Sequence, residues 1–314
     1  MYIVTGGAGF IGSNLTRRLL ERGAENVVVV DDLQDGHKFR NIADLAIADY
    51  LDKDDFLKRV TGDANFVKNL KAILHQGACS ATTEWDGRYM MHNNFSYSKA
   101  LLHPCLEHNV PLIYASTAAV YGGAQQFAEH PANELPLNVY GYSKLLFDRY
   151  VLRLQLSPDQ QVVGLRYFNV YGPREQHKGP MASVAWHFNR QLKEDGEVRL
   201  FEGCEGYDDG EQRRDFVYVD DVCDVNLWFL EHRDSSGVFN TGTGKAQSFN
   251  DIANAVIEWH GGGRIRYIPF PDHLKGAYQS FTEADLGELR KVGCDVSFRP
   301  VADGVRAYLD TLKS

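Results

Sequence analysis

Several things are scarce in this chain, and each scarcity narrows its function. No apolar run reaches the ~20 residues that a bilayer-spanning helix needs. Met1 leads directly into a strand-like YIV, leaving no room for a signal peptide, so a cytoplasmic protein is expected. Cysteine is sparse and odd in number: Cys79, Cys105, Cys204, Cys223 and Cys294, with no CxxC. That pattern argues against a disulfide framework or a zinc site and for free thiols in a reducing compartment. Positive charge is in deficit, with 33 Lys and Arg against 42 Asp and Glu and a formal net charge of -9. Nucleic acid and anionic membranes are therefore poor candidates as main partners. A nucleotide is not excluded, because helix ends and a few local cations outweigh distant charge. Internal repeats and low-complexity linkers are missing as well.

What is present begins at residues 2–12, YIVTGGAGFIG. A short apolar strand runs into Gly6, Gly9 and Gly12, and Phe10, Ile11, Leu15, Leu19 and Leu20 then recur at helical spacing. Strand, glycine turn and helix form the cradle for a pyrophosphate, which needs close backbone approach and a helix N-terminus. A Cβ at Gly6 or Gly9 would obstruct the approach, and one at Gly12 would push the helix off the strand. The spacing is GxxGxxG, the wider form. Asp31 ends the next strand, 26–31, where a carboxylate accepts from the adenosine ribose. Asp32 adjoins it, and Lys38 follows in the loop, where a cation can neutralise a 2′-phosphate. The acids favour NAD and the lysine favours NADP; NADP is the expectation and NAD the alternative.

Strand and helix signals alternate onward: strands near 45–48, 71–75, 111–116 and 161–168, and helices over 10–22, 52–60, 86–108 and 139–155. This is the pattern of an α/β, Rossmann-type doubly wound parallel sheet, whose ligands sit beyond the carboxyl ends of the strands. Further signals place strands over 198–201, 215–219, 237–242 and 264–268, and helices over 220–230, 248–258 and 301–312. A dinucleotide-binding domain over 1–168 and 218–244 is expected, with a smaller substrate-binding domain over 169–217 and 245–314.

The motifs fall at strand ends. Gly77 and Ala78 are small enough to let a flat cofactor pass. On the helix that follows, one amide of Asn93 or Asn94 could hold the surrounding loops. Strand 111–116 delivers Ser116 and Thr117. Tyr140 and Lys144 are four apart and share a helix face. An ammonium and a cationic cofactor ring would lower the Tyr140 phenol from its ordinary ~10, making it an acid/base near neutrality. Lys144 would also hold the cofactor ribose, and Ser116 the reacting substrate hydroxyl. Beyond the break at Gly172–Pro173 lie Lys178, His187, Arg190, Arg213 and Arg214, cations that could serve a nucleoside diphosphate. Taken singly, each is more often a solvated surface charge.

TGGAGFIG, the Ser116 strand end, YGYSK and NVYGPRE resemble the pattern of extended short-chain dehydrogenases/reductases that act on nucleotide sugars. HQGACSATTEWDG, NVYGYSK, GPREQHKGPMAS and RRDFVYVDDV resemble, more narrowly, the ADP-L-glycero-D-manno-heptose 6-epimerase family over nearly the whole chain. That resemblance implies inversion of one exocyclic carbon of an ADP-bound heptose, a lipopolysaccharide-core precursor, by oxidation and re-reduction on tightly held NADP. It implies Tyr140 and Lys178 as the acid/base pair, with Lys144 on the cofactor and Ser116 on the substrate. Cofactor contacts implied are Gly6, Gly9, Phe10, Ile11, Gly12, Asp31, Asp32, Lys38, Lys53, His75, Gln76, Gly77, Ala78, Cys79, Asn93, Lys144 and Val170. Substrate contacts implied are Ser116, Asn169, Lys178, His187, Phe201, Glu202, Gly203, Cys204, Arg214 and Tyr278. A homo-oligomer, a pentamer, is implied too. Two features depart from the pattern: a longer acidic loop over 205–212, which leaves Arg213 and Arg214 as alternatives, and Pro180 where a small polar residue is usual.

A nucleotide-sugar 4,6-dehydratase is disfavoured, because Ala118, Ala119 and Val120 stand where its carboxylate pair is needed. A UDP-hexose 4-epimerase fits the general motifs but lacks the TTEWDG and HKGxMAS features. A non-catalytic cofactor-binding regulator is argued against by the joint presence of Ser116, Tyr140 and Lys144.

Overall fold

The computed structural model describes residues 1–271 and 279–313. Strands are β1 (Tyr2–Thr5), β2 (Val27–Asp31), β3 (Asp49–Asp52), β4 (Ala72–His75), β5 (Leu112–Thr117), β6 (Val162–Tyr167), β7 (Asn169–Tyr171), β8 (Glu197–Phe201), β9 (Arg213–Arg214), β10 (Phe216–Tyr218), β11 (Gly237–Thr241), β12 (Gln247–Ser248) and β13 (Arg264–Ile268). Helices are α1 (Phe10–Glu21), α2 (Lys53–Gly62), α3 (Ala64–Lys68), α4 (Gly87–Met90), α5 (Tyr97–Glu107), α6 (Val139–Leu152), α7 (Val184–Asp195), α8 (Val219–Glu231), α9 (Phe249–His260), α10 (Gly287–Lys291) and α11 (Val301–Thr311).

Among the described residues, seven strands form one sheet in the order β11-β6-β5-β4-β1-β2-β3, every pair parallel. The buried strands are near-continuous apolar runs, such as VVVVD in β2, because helices cover both faces. Alternation along β1 sends Ile3 to one face, with Phe56, Leu101 and Phe147, and Val4 to the other, with Leu15, Val222 and Val225. Strand order reverses between β1 and β4, which opens a crevice at their carboxyl ends.

A second core gathers Phe188 and Leu192 of α7, Val198 and Leu200 of β8, Ile252 and Val256 of α9, and Val305, Tyr308 and Leu309 of α11. Short strands surround it: β7 with β10, β9 with β12 and β8 with β13. Ser248 and Asp251 close a full capping box at the start of α9.

Two expectations shift. The strand expected near 45–48 lies at Asp49–Asp52 instead. As the sheet's outer strand it is partly exposed and polar, so it lacks the apolar run that marks the buried strands. The helix expected over 86–108 is interrupted by a π-helical turn at Met91–Ser96. Such turns collect at functional sites, and this one carries Asn93 and Asn94. Among the described residues no helix is long and apolar enough to cross a membrane.

Candidate active site

A cleft of about 580 Å³ runs along the carboxyl ends of the strands on both sides of the reversal. Its floor begins at the glycine turn. Gly6 has φ +63, and a Cβ there would lie 2.6 Å from the Gly77 amide nitrogen. A Cβ on Gly12 would lie 2.1 Å from the Gly6 carbonyl oxygen, which holds α1 against β1. Gly9 caps α1 in extended conformation and without a side-chain cap, so the first amides of the helix are left to a ligand.

At one end, Asp31 Oδ2 accepts the Ala8 N–H at 2.8 Å, and Oδ1 accepts from Lys38 Nζ at 2.6 Å. Asp32 pairs with Lys53 at 3.0 Å. Burial opposes ionisation of Asp32, but the Gln34 amide and Lys53 outweigh it and hold the carboxyl below its ordinary range. This end therefore offers both ribose acceptors and two ammonium groups.

The middle is lined by Gln76, Gly77, Ala78 and Cys79. Their loop is fastened by Asn94, which is fully buried. Its Oδ1 accepts the Cys79 N–H at 2.8 Å, and its Nδ2 donates to the Cys79 carbonyl at 2.9 Å and to Ser143 Oγ at 3.0 Å. Asn94 is thus the loop-holding amide, while Asn93 lines the cleft beside Lys53, 3.4 Å away. His75 departs from expectation. It is buried beneath the cleft, its ring nitrogens taken by Thr5 Oγ1 at 2.6 Å and Ser98 Oγ at 2.9 Å, so its side chain cannot reach a cofactor.

At the other end stand Thr117, Tyr140 and Lys144. Asn138 caps α6 through the Gly141 N–H, which fixes Tyr140 at the first turn. Lys144 Nζ donates to the Ala115 carbonyl at 2.9 Å; burial pulls its pKa down to about 8, against the opposing pull of Asp148. Tyr140 lines the cleft as expected. In the protein itself, burial pushes the phenol above its ordinary value, and the nearby Thr117 hydroxyl only partly offsets this. Ser116 also lines the cleft; its hydroxyl donates to Asp148 Oδ2 at 2.8 Å, and Thr117 lines the cleft beside it. Strand alternation separates the two: Tyr114 and Ser116 share a face and both bond Asp148, and Thr117 takes the other face.

The segment Gln176–Met181 lines the cleft through His177, Lys178 and Met181. Lys178 is no solvated loop charge. Its Nζ sits 5.1 Å from the centre of the Phe10 ring, and burial lowers its pKa against the opposing pull of Glu175. Every residue expected at the cofactor lines this cleft except His75.

The residues expected at the substrate are divided. Ser116 and Lys178 border the cleft; Asn169, His187, Phe201, Glu202, Gly203, Cys204 and Arg214 do not. His187 instead meets the Pro180 carbonyl at 3.3 Å, tying α7 to the Lys178 segment. Arg214 is buried over the Phe249 ring, whereas Arg213 is half exposed and 3.7 Å from Glu211. Tyr278 lies outside the described residues.

The sequence profile of the "NAD dependent epimerase/dehydratase family" matches residues 2–242. The ADP-L-glycero-D-manno-heptose-6-epimerase of Alkalilimnicola ehrlichii is 61% identical over 312 residues, 99% of this chain and 97% of that one. The crystal structure of the Helicobacter pylori enzyme of the same name superposes with a TM-score of 0.84 at 33% identity, covering 100% of this chain and 96% of that one. Thermus thermophilus UDP-glucose 4-epimerase, solved in complex with NAD, superposes with a TM-score of 0.77 at 27% identity over 99% of its own chain.

Proposed function

From the premise that this chain belongs to the NAD dependent epimerase/dehydratase family, and within it to the ADP-L-glycero-D-manno-heptose-6-epimerases, we propose the following reaction. The protein converts ADP-D-glycero-β-D-manno-heptose to its L-glycero epimer by transient oxidation at the exocyclic carbon 6, within the synthesis of lipopolysaccharide-core precursor. The observation that carries the mechanism is that Tyr140 on α6 and Lys178 on a distant segment open onto one cleft.

The cradle fits a nicotinamide dinucleotide, since a Cβ at Gly6 would collide with Gly77 where the cradle must stay open. The glycine turn and the start of α1 would take the pyrophosphate, Asp31 the adenosine ribose, and Lys144 the nicotinamide ribose. Lys38 and Lys53, two ammonium groups beside Asp31 and Asp32, favour NADP over NAD. Held there by the glycine turn, Asp31 and Lys144, such a dinucleotide would supply reversible hydride transfer at carbon 6.

The chain's own residues manage the proton and the geometry. Oxidation of an alcohol releases a proton, and Tyr140 and Lys178 give two places to put it. Thr117 lines the cleft together with Tyr140 and would help orient the substrate hydroxyl. Rotation about the exocyclic bond turns the carbonyl's other face to the hydride, and an acid then reprotonates the new alkoxide. An acid/base residue so placed is worth ~10²–10⁴-fold. The nucleotide of the substrate would lie toward Asn169, His187, Phe201–Cys204 and Arg214. By resemblance the reading extends to a cytoplasmic homo-oligomer, a pentamer.

The test is epimerisation in deuterated water, followed by NMR on purified protein with no dinucleotide added. Conversion to the L-glycero epimer without solvent deuterium supports direct hydride return on a retained cofactor. Deuterium at a neighbouring carbon points to enolisation. No conversion, even with NADP or NAD supplied, overturns the heptose assignment.

A further inference from the structure

The segment that carries Lys178 is fastened at both ends, and one fastening crosses to the other side of the cleft. Arg174 adopts φ 72, in the left-handed region that a residue with a side chain occupies only where its surroundings hold it there. Its surroundings do so. The guanidinium donates through Nη1 and Nη2 to the two carboxylate oxygens of Asp44, at 2.9 and 2.6 Å, and through Nη1 to the Asn41 carbonyl. The preceding Pro173 carbonyl accepts from Asn14 Nδ2 at 2.8 Å. Asn41 extends the link: its Nδ2 lies 3.0 Å from His177 Nδ1 and donates to the Ala8 carbonyl, inside the glycine turn, at 2.9 Å. The far end is held by Glu175, fully buried, which accepts from the Ser183 N–H and hydroxyl, both at 2.6 Å.

The other half of this link is the segment that follows β2. Its 3-10 turn, Gly36–Asn41, carries Lys38, which reaches Asp31 at the adenosine end. The two segments that flank the cleft, one with Lys38 and one with Lys178, are therefore joined through Arg174, Asp44, Asn41 and His177. Asp44 is held below the ordinary carboxylate range, chiefly by its hydrogen bond to Arg174. Its side chain is 62% exposed while that of Arg174 is 14% exposed, so the carboxylate is the accessible half of the pair.

We propose that Arg174 and Asp44 form a clasp that holds the Lys178 segment over the bound dinucleotide, making Arg174 a positioning residue for Lys178 and making cofactor release depend on the opening of the clasp. The proposal rests on the reading of the cleft as a dinucleotide site. It gives a cofactor that works in both directions of a hydride cycle a reason to stay bound between turnovers.

The test uses holoenzyme carrying NADPH, with wild type, Asp44→Asn, Arg174→Lys and the double variant. NADPH release is followed by its fluorescence after a chase with excess NADP. Each single variant should release NADPH roughly fivefold to tenfold faster, the scale of a bidentate but partly solvated ion pair. The double variant should be no faster than the faster single. The melting-temperature gain of holo over apo protein should shrink in the variants while the apo value stays put; a merely structural pair would lower both alike. Release unchanged in Asp44→Asn, from a wild type that does hold NADPH, overturns the clasp and leaves the cleft reading intact. Effects that multiply in the double variant also overturn it. A wild type that binds neither NADPH nor NADH overturns the reading of the cleft, and the clasp with it.

Discussion

The Ser116 hydroxyl donates to Asp148 Oδ2 at 2.8 Å, which commits its proton to that buried carboxylate. Asp148 also accepts from Tyr114 at 3.0 Å and from the buried Arg166 at 2.9 Å. Thr117, one residue on, makes no such bond to Asp148 and lines the cleft with Tyr140. The two residues should therefore separate cleanly. Thr117→Val should lower kcat by ~10²-fold, the lower end for loss of an acid/base partner, with little change in unfolding free energy. Ser116→Ala should leave kcat within a few-fold but destabilise the fold by about 1 kcal/mol, since a buried carboxylate loses a donor. Steady-state kinetics and urea unfolding on both variants decide it; a large kcat loss in Ser116→Ala would return the substrate role to Ser116.

Tyr140→Phe and Lys178→Met should each slow epimerisation by ~10²–10⁴-fold. Both should keep their dinucleotide, because the cradle of Gly6, Gly12 and Asp31 is untouched. Absorbance of retained cofactor after gel filtration, set beside the rate, distinguishes lost chemistry from lost binding. A variant that loses both would make its residue part of the cradle.

Much of this was legible because it is local. The glycine triplet, Asp31 and the Tyr140–Lys144 pair are spacings within single elements, and spacing survives into the fold. Lys178 was not legible from its own surroundings: it is set by its approach to Phe10, far away in sequence, and only the family resemblance singled it out. Ser116 and Thr117 both end a strand, and which of them bonds Asp148 is set by the fold rather than by spacing. His75 was placed with its loop, yet it ends β4 with its ring turned into the core. Asn94 was recognised only as one of two amides, since the π-helical turn that buries it has no spacing of its own.

On the proposed reading, the end of the cleft with Lys38 and Lys53 carries the choice between NADP and NAD. Lys38 and Lys53 each pair with a carboxylate, at 2.6 and 3.0 Å. A 2′-phosphate would give both ammonium groups a second anion, whereas a 2′-hydroxyl would gain little from them. Lys38→Ala and Lys53→Ala should each raise the Kd for NADP by roughly tenfold, the scale of one charge-assisted hydrogen bond. The Kd for NAD should hold or improve, since the freed carboxylate accepts from a ribose hydroxyl. Calorimetric titration of apo protein with both dinucleotides checks this; equal losses for both would remove the basis for an NADP preference.

His75 should make the fold sensitive to mild acid. Thr5 Oγ1 accepts the Gly77 N–H at 3.2 Å and lies 2.6 Å from His75 Nδ1, to which it donates once Nε2 carries the ring proton. Ser98 Oγ donates to the Asn94 carbonyl at 2.5 Å, so it accepts from His75 Nε2 at 2.9 Å. Both ring nitrogens are thereby fixed with one proton between them, and a second proton would reverse a hydrogen bond. Burial, with Lys144 adding repulsion, lowers the pKa to about 3. The unfolded chain keeps an ordinary histidine, near 6.5. Below that value the unfolded state binds a proton that the folded state refuses, so stability is full above about pH 6.5 and declines toward about pH 3. Between pH 7 and pH 5 this one group should remove about 2 kcal/mol. His75→Gln, less stable than wild type at pH 7 for want of a matched ring, should lose about that much less over the same interval. Urea midpoints of both proteins at the two pH values give the comparison, and equal losses would mean that the acid sensitivity lies elsewhere.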